Sequence, residues 1–126
     1  MAKELLKKLD KRSMCPVSLT LELVGDKWSL LIIRDMLFME KSTYNEFLES
    51  PEGISTNILN DRLVRLTELG LITYSGTAKR KKYKLTTLGL DLTPVIKEVA
   101  QFGRKHFKGS KEYAEMQYRE HMAKRQ

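Results

Sequence analysis

The sequence contains a single cysteine, Cys15, among its 126 residues. One thiol cannot close an internal disulfide, which excludes a small secreted scaffold held together by disulfides. The sequence also lacks an apolar run near the roughly 18 residues that a membrane-spanning helix needs, since the longest run, 30–33, is followed by Arg34 and Asp35. Residues 1–9 mix leucine with lysine and glutamate, which is typical of an amphipathic helix and not of a signal peptide. These absences predict a cytoplasmic protein that does not enter a membrane.

Recognisable catalytic patterns are also missing. The sequence shows no Ser-His-Asp set, no glycine-rich phosphate loop and no close pair of acidic residues, so we expect no enzyme activity. His106 and His121 have neither a second cysteine nor clustered carboxylates around them, so we expect no metal site. We expect Trp28 to belong to the core and not to a ligand pocket, and we expect no cofactor.

Positive charge is what the sequence has in excess. Lysine and arginine number 23 against 16 acidic residues, which gives a net charge of +7 and a pI of about 9.5. Hydrophobic residues at 41% and charged residues at 31% are typical of a globular chain, and the length suits one domain. A basic surplus favours nucleic acid first and an anionic membrane surface second, while a merely solvated basic surface is the alternative.

Helical periodicity and capping signals divide most of the chain into helices. Thr43 and Glu46 form a capping-box pattern before a short helix, and Ser55 caps a strongly periodic helix that Gly70 ends. Pro94 is expected to kink or restart a longer helix near the carboxyl end. The predicted helices cover residues 2–12, 16–24, 27–39 (capped by Asp26), 44–48, 56–69, 87–102 and 111–123.

After Gly70 the apolar period changes to two, which predicts a β-hairpin formed by residues around 72–75 and 82–86. Its tip is basic and carries Lys79, Arg80, Lys81 and Lys82. A basic wing of this kind follows the sugar-phosphate backbone or reaches a minor groove. The alternative is a solvated edge hairpin whose lysines block aggregation.

Two helices joined by a tight turn, 44–48 and 56–69, form a helix-turn-helix pattern whose second helix enters the major groove. Asparagine suits adenine, threonine suits a thymine methyl and aspartate suits cytosine, while a helix N-terminus suits a phosphate. Asp61 is expected either to face a base or to pair with Arg65 one turn on. The two arginines of this helix are long enough to reach the DNA backbone. The DNA contacts predicted for the helix are Ser55, Thr56, Asn57, Asn60, Asp61, Arg62 and Arg65.

Taken together, these motifs resemble those of the HxlR-type winged helix-turn-helix regulators, relatives in fold of the MarR group. The matching stretches keep the order and spacing of that family over roughly residues 14–96. One departure is Thr56–Asn57, where proline followed by lysine or arginine is common in the family. The stretches are Cys15-Pro16-Val17, Gly25-Asp26-Lys27-Trp28, Ile33-Arg34-Asp35-Met36-Leu37, Tyr44-Asn45-Glu46-Phe47, Gly53-Ile54-Ser55, Leu59-Asn60-Asp61-Arg62-Leu63, Leu69-Gly70-Leu71-Ile72 and Tyr83-Lys84-Leu85-Thr86.

The resemblance implies a homodimer built from the terminal helices, binding to double-stranded DNA near a promoter, and repression or activation of adjacent genes. We therefore predict an α+β winged helix-turn-helix with extra N- and C-terminal dimerisation helices, in one domain over residues 1–126. Its parts would be an N-terminal helix (1–13), a DNA-binding core (14–96) and C-terminal dimerisation helices (97–126). Met116 and Met122 would line a dimer helix. The operator would be pseudo-palindromic, and the residues do not specify an effector.

Cys15 stands just before Pro16 at a helix N-terminus, with Lys11 and Arg12 one turn upstream. Positive charge of this kind lowers the pKa of a thiol and favours the reactive thiolate. The resemblance adds that some members of the family sense oxidants or electrophiles at the matching cysteine, so a thiol-based sensor is the alternative function. A small buried residue at the helix entry is the other interpretation. A winged module for RNA or protein contacts, without operator specificity, is a further alternative.

Overall fold

Eight helices and one two-stranded antiparallel sheet make up the part of the chain that the computed structural model describes, residues 2–125. The helices that precede the sheet are α1 (Ala2–Lys8), α2 (Pro16–Val24), α3 (Ser29–Phe38), α4 (Tyr44–Leu48) and α5 (Thr56–Glu68). The strands are β1 (Ile72–Ser75) and β2 (Lys82–Leu85), and the helices that follow are α6 (Thr87–Leu90), α7 (Thr93–His106) and α8 (Ser110–Lys124).

The helix starts follow the capping residues of the sequence. Helix α3 begins at Ser29, two residues later than predicted. The carboxylate of Asp26 accepts hydrogen bonds from the backbone N–H groups of Trp28 and Ser29, at 3.1 and 3.0 Å. Thr43 and Glu46 form the complete predicted capping box of α4. The Ser55 hydroxyl oxygen accepts from the backbone N–H of Ile58 at 3.2 Å and caps α5. These caps satisfy some of the N–H groups that have no partner within their own helices.

Gly70 ends α5, as the sequence predicts. Its φ of +79° lies in the left-handed region, which glycine adopts without steric cost. The reversal lets the backbone N–H of Leu71 donate to the carbonyl of Leu66 at 3.0 Å. The chain therefore leaves α5 at a fixed angle and enters β1 directly, so the wing is placed by the end of this helix.

The hairpin pairs Ile72 with Leu85 and Ser75 with Lys82 at its two ends. A contact that the sequence did not reveal ties it to the helices, because the backbone N–H of Tyr83 donates to the carbonyl of Ser42 at 2.7 Å. The wing is thus anchored along β2 to the segment that immediately precedes α4.

The core lies between α3, α5 and the base of the hairpin. Its fully buried members include Ile33 of α3, Leu59 and Leu66 of α5, and Leu71 and Ile72 at the entrance to β1. The prediction that α3 is a central helix is confirmed, since most of its faces meet other parts of the protein. Trp28 packs against the edge of this core and is half-buried.

The ends of the chain differ in part from the predicted elements. Helix α1 ends at Lys8 and not at residue 12, because the polar residues 10–13 supply no further apolar contact to support another turn. Pro94 lies in the first turn of α7 and restarts the helix after α6. The expected division between residues 96 and 97 falls inside α7.

Among the described residues, none of the helices combines the length and the apolar character needed to cross a membrane.

Candidate nucleic-acid interface

Helices α4 and α5 form the helix-turn-helix that the sequence predicts. The helices pack against each other, and the turn between them contains Gly53 with a φ of +72°, which allows the sharp change of direction. The Tyr44 hydroxyl lies 3.4 Å from the carbonyl oxygen of Thr56 and links the start of α4 to the start of α5. The N-terminus of α5 is therefore held by groups on both sides of the turn.

The predicted base-reading residues of α5 share an exposed face. Thr56 and Asn57 lie in the first turn, and Asn60 and Asp61 follow one turn on. The side chains of Thr56, Asn57 and Asn60 are exposed, while the opposite face of α5, with Leu59, is buried. Ser55 is exposed too, and although its oxygen caps the helix, the hydroxyl proton remains available to a phosphate oxygen.

Arg62 does not point into the exposed face as a free cation. Its Nε donates to the carboxylate of Asp26 at 2.7 Å, and another guanidinium nitrogen pairs with Asp61. The prediction that Asp61 pairs with Arg65 is wrong, because Asp61 pairs with the guanidinium of its neighbour Arg62 instead. Two carboxylates now share the charge that the sequence assigned to the DNA backbone, and the hydrogen bond that Arg62 donates to Asp26 raises the pKa of the guanidinium.

Arg65 is also bound within the chain. One of its guanidinium nitrogens donates to the backbone carbonyl of Glu22, near the carboxyl end of α2, at 2.6 Å. This bond satisfies one of the carbonyls that have no partner within α2. The side chain is half-buried, so it joins α5 to α2 in place of the predicted reach toward a phosphate.

Asp26 is the centre of the link between α3 and α5. Partial burial acts to raise its pKa, but hydrogen bonds from the Ser29 hydroxyl, the Arg62 guanidinium and the backbone N–H groups of Trp28 and Ser29 outweigh that effect and lower the pKa to about 2. The carboxylate thus caps α3 and holds Arg62 at the same time. Sequence reasoning found the cap and missed the second role, which depends on a contact across the fold.

The wing places its basic residues in solvent. Lys79 and Arg80 lie in the loop between the strands and are exposed, and Lys82 is exposed at the start of β2. The ammonium of Lys81 lies 4.3 Å from the ring centre of Tyr74, a cation–π contact that orients the side chain and leaves its charge in place. The four predicted wing residues thus form one basic tip.

A partly buried polar network that was not predicted from the sequence fixes the turn before α5. Arg34 donates to Glu52 in the turn through two hydrogen bonds of 2.8 and 2.9 Å, and to Asp35 at 2.8 and 3.0 Å. Asp35 is only 3% exposed, and it also accepts from the hydroxyl of Ser50, two residues after α4. The ammonium of Lys41 lies 3.6 Å from the same carboxylate.

The charge balance of this network explains how it tolerates burial. The hydrogen bond from Arg34 lowers the pKa of Glu52, and the pKa of Arg34 is raised although its own burial acts in the opposite direction. A charged pair inside a helix that is apolar on most sides was the available signal, since aspartate is almost never fully buried unless it is paired.

Cys15 is exposed at the N-terminus of α2, so the interpretation as a small buried residue is wrong. The backbone N–H groups of Ser18 and Val17 lower the pKa of its thiol, although neither of them forms a capping hydrogen bond with the sulfur. The predicted influence of Arg12 is not seen, because its guanidinium pairs with Glu22 at 2.6 Å. The thiol is therefore accessible and shifted toward the thiolate by the helix terminus.

Comparison with known proteins agrees with this geometry. The family model described as HxlR-like helix-turn-helix matches residues 23–111. An uncharacterized HTH-type transcriptional regulator of Mycobacterium tuberculosis is 39% identical over 90 residues, which make up 69% of this chain and 56% of that protein. The match therefore spans little more than half of that relative's length.

Two solved structures show the same winged helix-turn-helix fold. A transcriptional regulator of the MarR family from Porphyromonas gingivalis is 33% identical, with a TM-score of 0.68 over 75% of this chain and 95% of that one. The redox regulator HypR in its oxidized form is 26% identical, with a TM-score of 0.64 over 73% of this chain and 97% of that one. The predicted α+β winged fold and the family resemblance are both confirmed.

Proposed function

Because the chain belongs to the HxlR-like helix-turn-helix family of transcriptional regulators, we propose that it binds a specific pseudo-palindromic operator as a homodimer. The observation that carries this proposal is the pairing of an exposed polar face on α5 with a basic wing that leaves the same helix at Gly70. A recognition helix in the major groove supplies base contacts, while wing cations supply sequence-independent contacts to the phosphates.

Exposed apolar residues on the terminal helices support the homodimer. Val99 and Phe102 of α7 are 57% and 63% exposed, and Tyr113, Met116 and Tyr118 of α8 are exposed as well. Such a concentration of apolar side chains on adjoining helices is typical of a protein interface. We therefore assign dimerisation to α7 and α8. A second copy would place its recognition helix about one DNA turn from the first.

A binding selection on random duplex DNA tests the proposal, with sedimentation used to determine the mass of the free protein and of the complex. We expect an enriched motif with two-fold symmetry and a dimer in both states. Asn57→Ala with Asn60→Ala should lower specific binding and leave nonspecific binding nearly intact, since both side chains are exposed and distant from the core. Selection without any enriched motif would favour an RNA- or protein-binding role.

We further propose that a bound dimer represses, because a protein seated on an operator that overlaps a promoter blocks access of the polymerase. A reporter gene behind the selected site measures the outcome. Repression predicts a lower signal when the regulator is expressed, whereas a higher signal would establish activation.

The second candidate function is thiol-based sensing through Cys15. It is supported by the exposed thiol with its lowered pKa and by the likeness to HypR, a redox regulator. Helix α2 begins next to Cys15 and, near its other end, bonds to Arg65 of α5. A displacement of α2 would therefore move the proposed recognition helix.

Operator affinity measured before and after treatment with diamide or an aldehyde tests this candidate. Diamide accepts two electrons and two protons as two thiols join, and a chain with one cysteine can form that bond only with another molecule. We expect treatment to change the affinity of the native protein and not of Cys15→Ser. An equal response of both proteins would reject sensing by these agents.

A further inference from the structure

The exposed face of α5 has an unusual chemical composition for a helix proposed to read DNA. Asn57, Asn60 and Val64 follow one another at helical spacing and are exposed, Val64 to 58%. Residues three and four positions apart share one side of a helix, so these side chains form a single stripe. The exposed residues of α5, all of which the structure describes, include neither lysine nor arginine.

This composition removes the usual means of reading guanine. The commonest specific contact in the major groove is a bidentate bond from arginine or lysine to O6 and N7 of guanine. Both arginines of α5 are engaged elsewhere, Arg62 with Asp26 and Asp61, and Arg65 with the carbonyl of Glu22. These bonds hold Arg65 toward α2 and Arg62 toward the segment before α3, and the remaining bond of Arg62 is made to Asp61 beside the stripe.

The groups that remain on the stripe match adenine and thymine. A side-chain amide donates to N7 of adenine and accepts from its N6 amino group, which gives asparagine two bonds to one base. An apolar side chain such as Val64 suits the C5 methyl of thymine. Asp61 would accept from cytosine, but its carboxylate is paired with Arg62.

We infer that α5 reads A·T pairs, with Asn57 and Asn60 each bonded to an adenine and Val64 placed against a thymine methyl. The inference rests on the proposed function and adds the base preference to it. It also assigns the two arginines of α5 a structural role, as groups that fix the angle of the helix and not as readers of bases.

Base analogues in the selected duplex test the individual contacts. Replacing adenine by 7-deazaadenine removes the N7 acceptor and keeps Watson–Crick pairing, while replacing thymine by uracil removes only the methyl group. We expect the 7-deaza substitution to weaken binding about 5- to 100-fold per contacted adenine, because the bond to N7 is lost and the buried amide N–H is left without an acceptor. We expect a smaller loss, about 3-fold, for the methyl group, which is an apolar contact of a single carbon.

Variants of the protein assign each base to a side chain. Asn57→Ala should abolish the sensitivity to 7-deazaadenine at one position, Asn60→Ala at another, and Val64→Ala the sensitivity to uracil. Glu68→Gln is the matched control, because Glu68 is exposed at the far end of the same helix. It should retain every analogue effect, and thermal unfolding of each variant confirms that the fold persists.

The outcomes separate this inference from the proposed function. A selected motif with A·T pairs that are sensitive to the analogues in the native protein and insensitive in the matching variants supports it. A motif with G·C pairs at the positions that the three substitutions affect overturns it and leaves sequence-specific DNA binding intact. An A·T motif that is insensitive to both analogues also overturns it, because the preference would then come from DNA shape. A selection with no motif overturns the proposed function itself.

Discussion

The wing and helix α5 carry basic residues in two different states. In the wing, Lys79, Arg80 and Lys82 project into solvent, and Lys81 rests over a tyrosine ring with its charge intact. In α5, Arg62 and Arg65 bond to groups of α2 and of the segment before α3. The sequence places both sets near the proposed interface, and only the fold shows that one is free and the other is committed.

Because of this difference, the wing and α5 are expected to contribute to DNA binding in different ways. Free cations displace counterions from DNA and supply affinity that weakens as salt rises. Cations that are bonded within the protein add little to this salt-dependent affinity. They hold the recognition helix in one orientation instead, which a base-specific contact requires. Variants that remove the side chains of each set test the two contributions separately.

The largest effect is expected when the network that fixes the start of α5 is broken at Asp35. Asp35→Ala removes the partner of Arg34 inside the protein, leaves the Ser50 hydroxyl without its acceptor and takes away the carboxylate that balances the charge of Lys41. Removing one member of a buried ion pair costs about 3 to 5 kcal/mol, and the retained bond to Glu52 places this case near the lower figure. Urea denaturation measures the loss.

Asp10→Asn is the control for this substitution, because Asp10 is an exposed carboxylate in the connection after α1. It should leave the free energy of unfolding within about 0.5 kcal/mol of the native value. If Asp35→Ala were equally mild, the network would not stabilise the turn before α5, and the contrast between a firmly held helix and a solvated wing would be lost.

The next effect concerns the wing. Lys79→Ala, Arg80→Ala and Lys82→Ala combined should lower the affinity for nonspecific duplex roughly 10- to 100-fold and make the salt slope less steep by about 0.9 for each phosphate that the variant no longer neutralises. The stability should barely change, since the side chains are exposed. Fluorescence anisotropy between 50 and about 300 mM salt measures both quantities.

A control for the wing variant removes the same charge at another place, with Lys7, Lys8 and Lys11 changed to alanine. These lysines are exposed in and after α1. An equal loss of affinity in both triple variants would show that net charge, and not the wing, governs binding.

Arg62→Ala tests the opposite state. Loss of the bond to Asp26 should reduce the free energy of unfolding by about 1 to 2 kcal/mol, since a hydrogen bond between charged groups contributes about that much when partly exposed. The salt slope should stay that of the native protein. A slope that falls by about 0.9 with no loss of stability would place Arg62 on a phosphate and end the distinction between the two sets of cations.

Local signals in the sequence were sufficient to predict the helices and strands but not the contacts between them. The caps at Asp26, Thr43 and Ser55 and the stop at Gly70 are chemical properties of a few adjacent residues, so they could be predicted. The bond from Arg62 to Asp26 joins residues 36 positions apart. Spacing along one helix favoured Arg65 as the partner of Asp61, and only the packing of α5 on its neighbours shows which arginine is available.

The exposed face of the proposed interface was predictable from the sequence, whereas the position of the wing and the exposure of Cys15 were not. Its residues were found because an exposed helical face follows from periodicity alone, and the structure shows Thr56, Asn57 and Asn60 exposed. The anchor of the wing at Ser42 left no pattern in the sequence, since it is a bond between backbone groups. The exposure of Cys15 depends on how the chain enters α2, which composition does not determine.

The smallest expected effect is a pH dependence that belongs to Asp26. Its pKa of about 2 lies below the ordinary value of 3.8, so the charged form is favoured in the folded protein. A depressed pKa contributes stability that is complete above the ordinary value and is lost as the pH falls from about 4 to about 2. Since the carboxylate is partly exposed, we expect about 1 kcal/mol from this source.

The difference in unfolding free energy between the native protein and Asp26→Asn should therefore shrink by that amount in urea titrations from pH 5 downward. A difference that stays constant over this range would mean that Asp26 holds Arg62 no better when charged than when neutral, and the committed state of that arginine would then rest on packing alone.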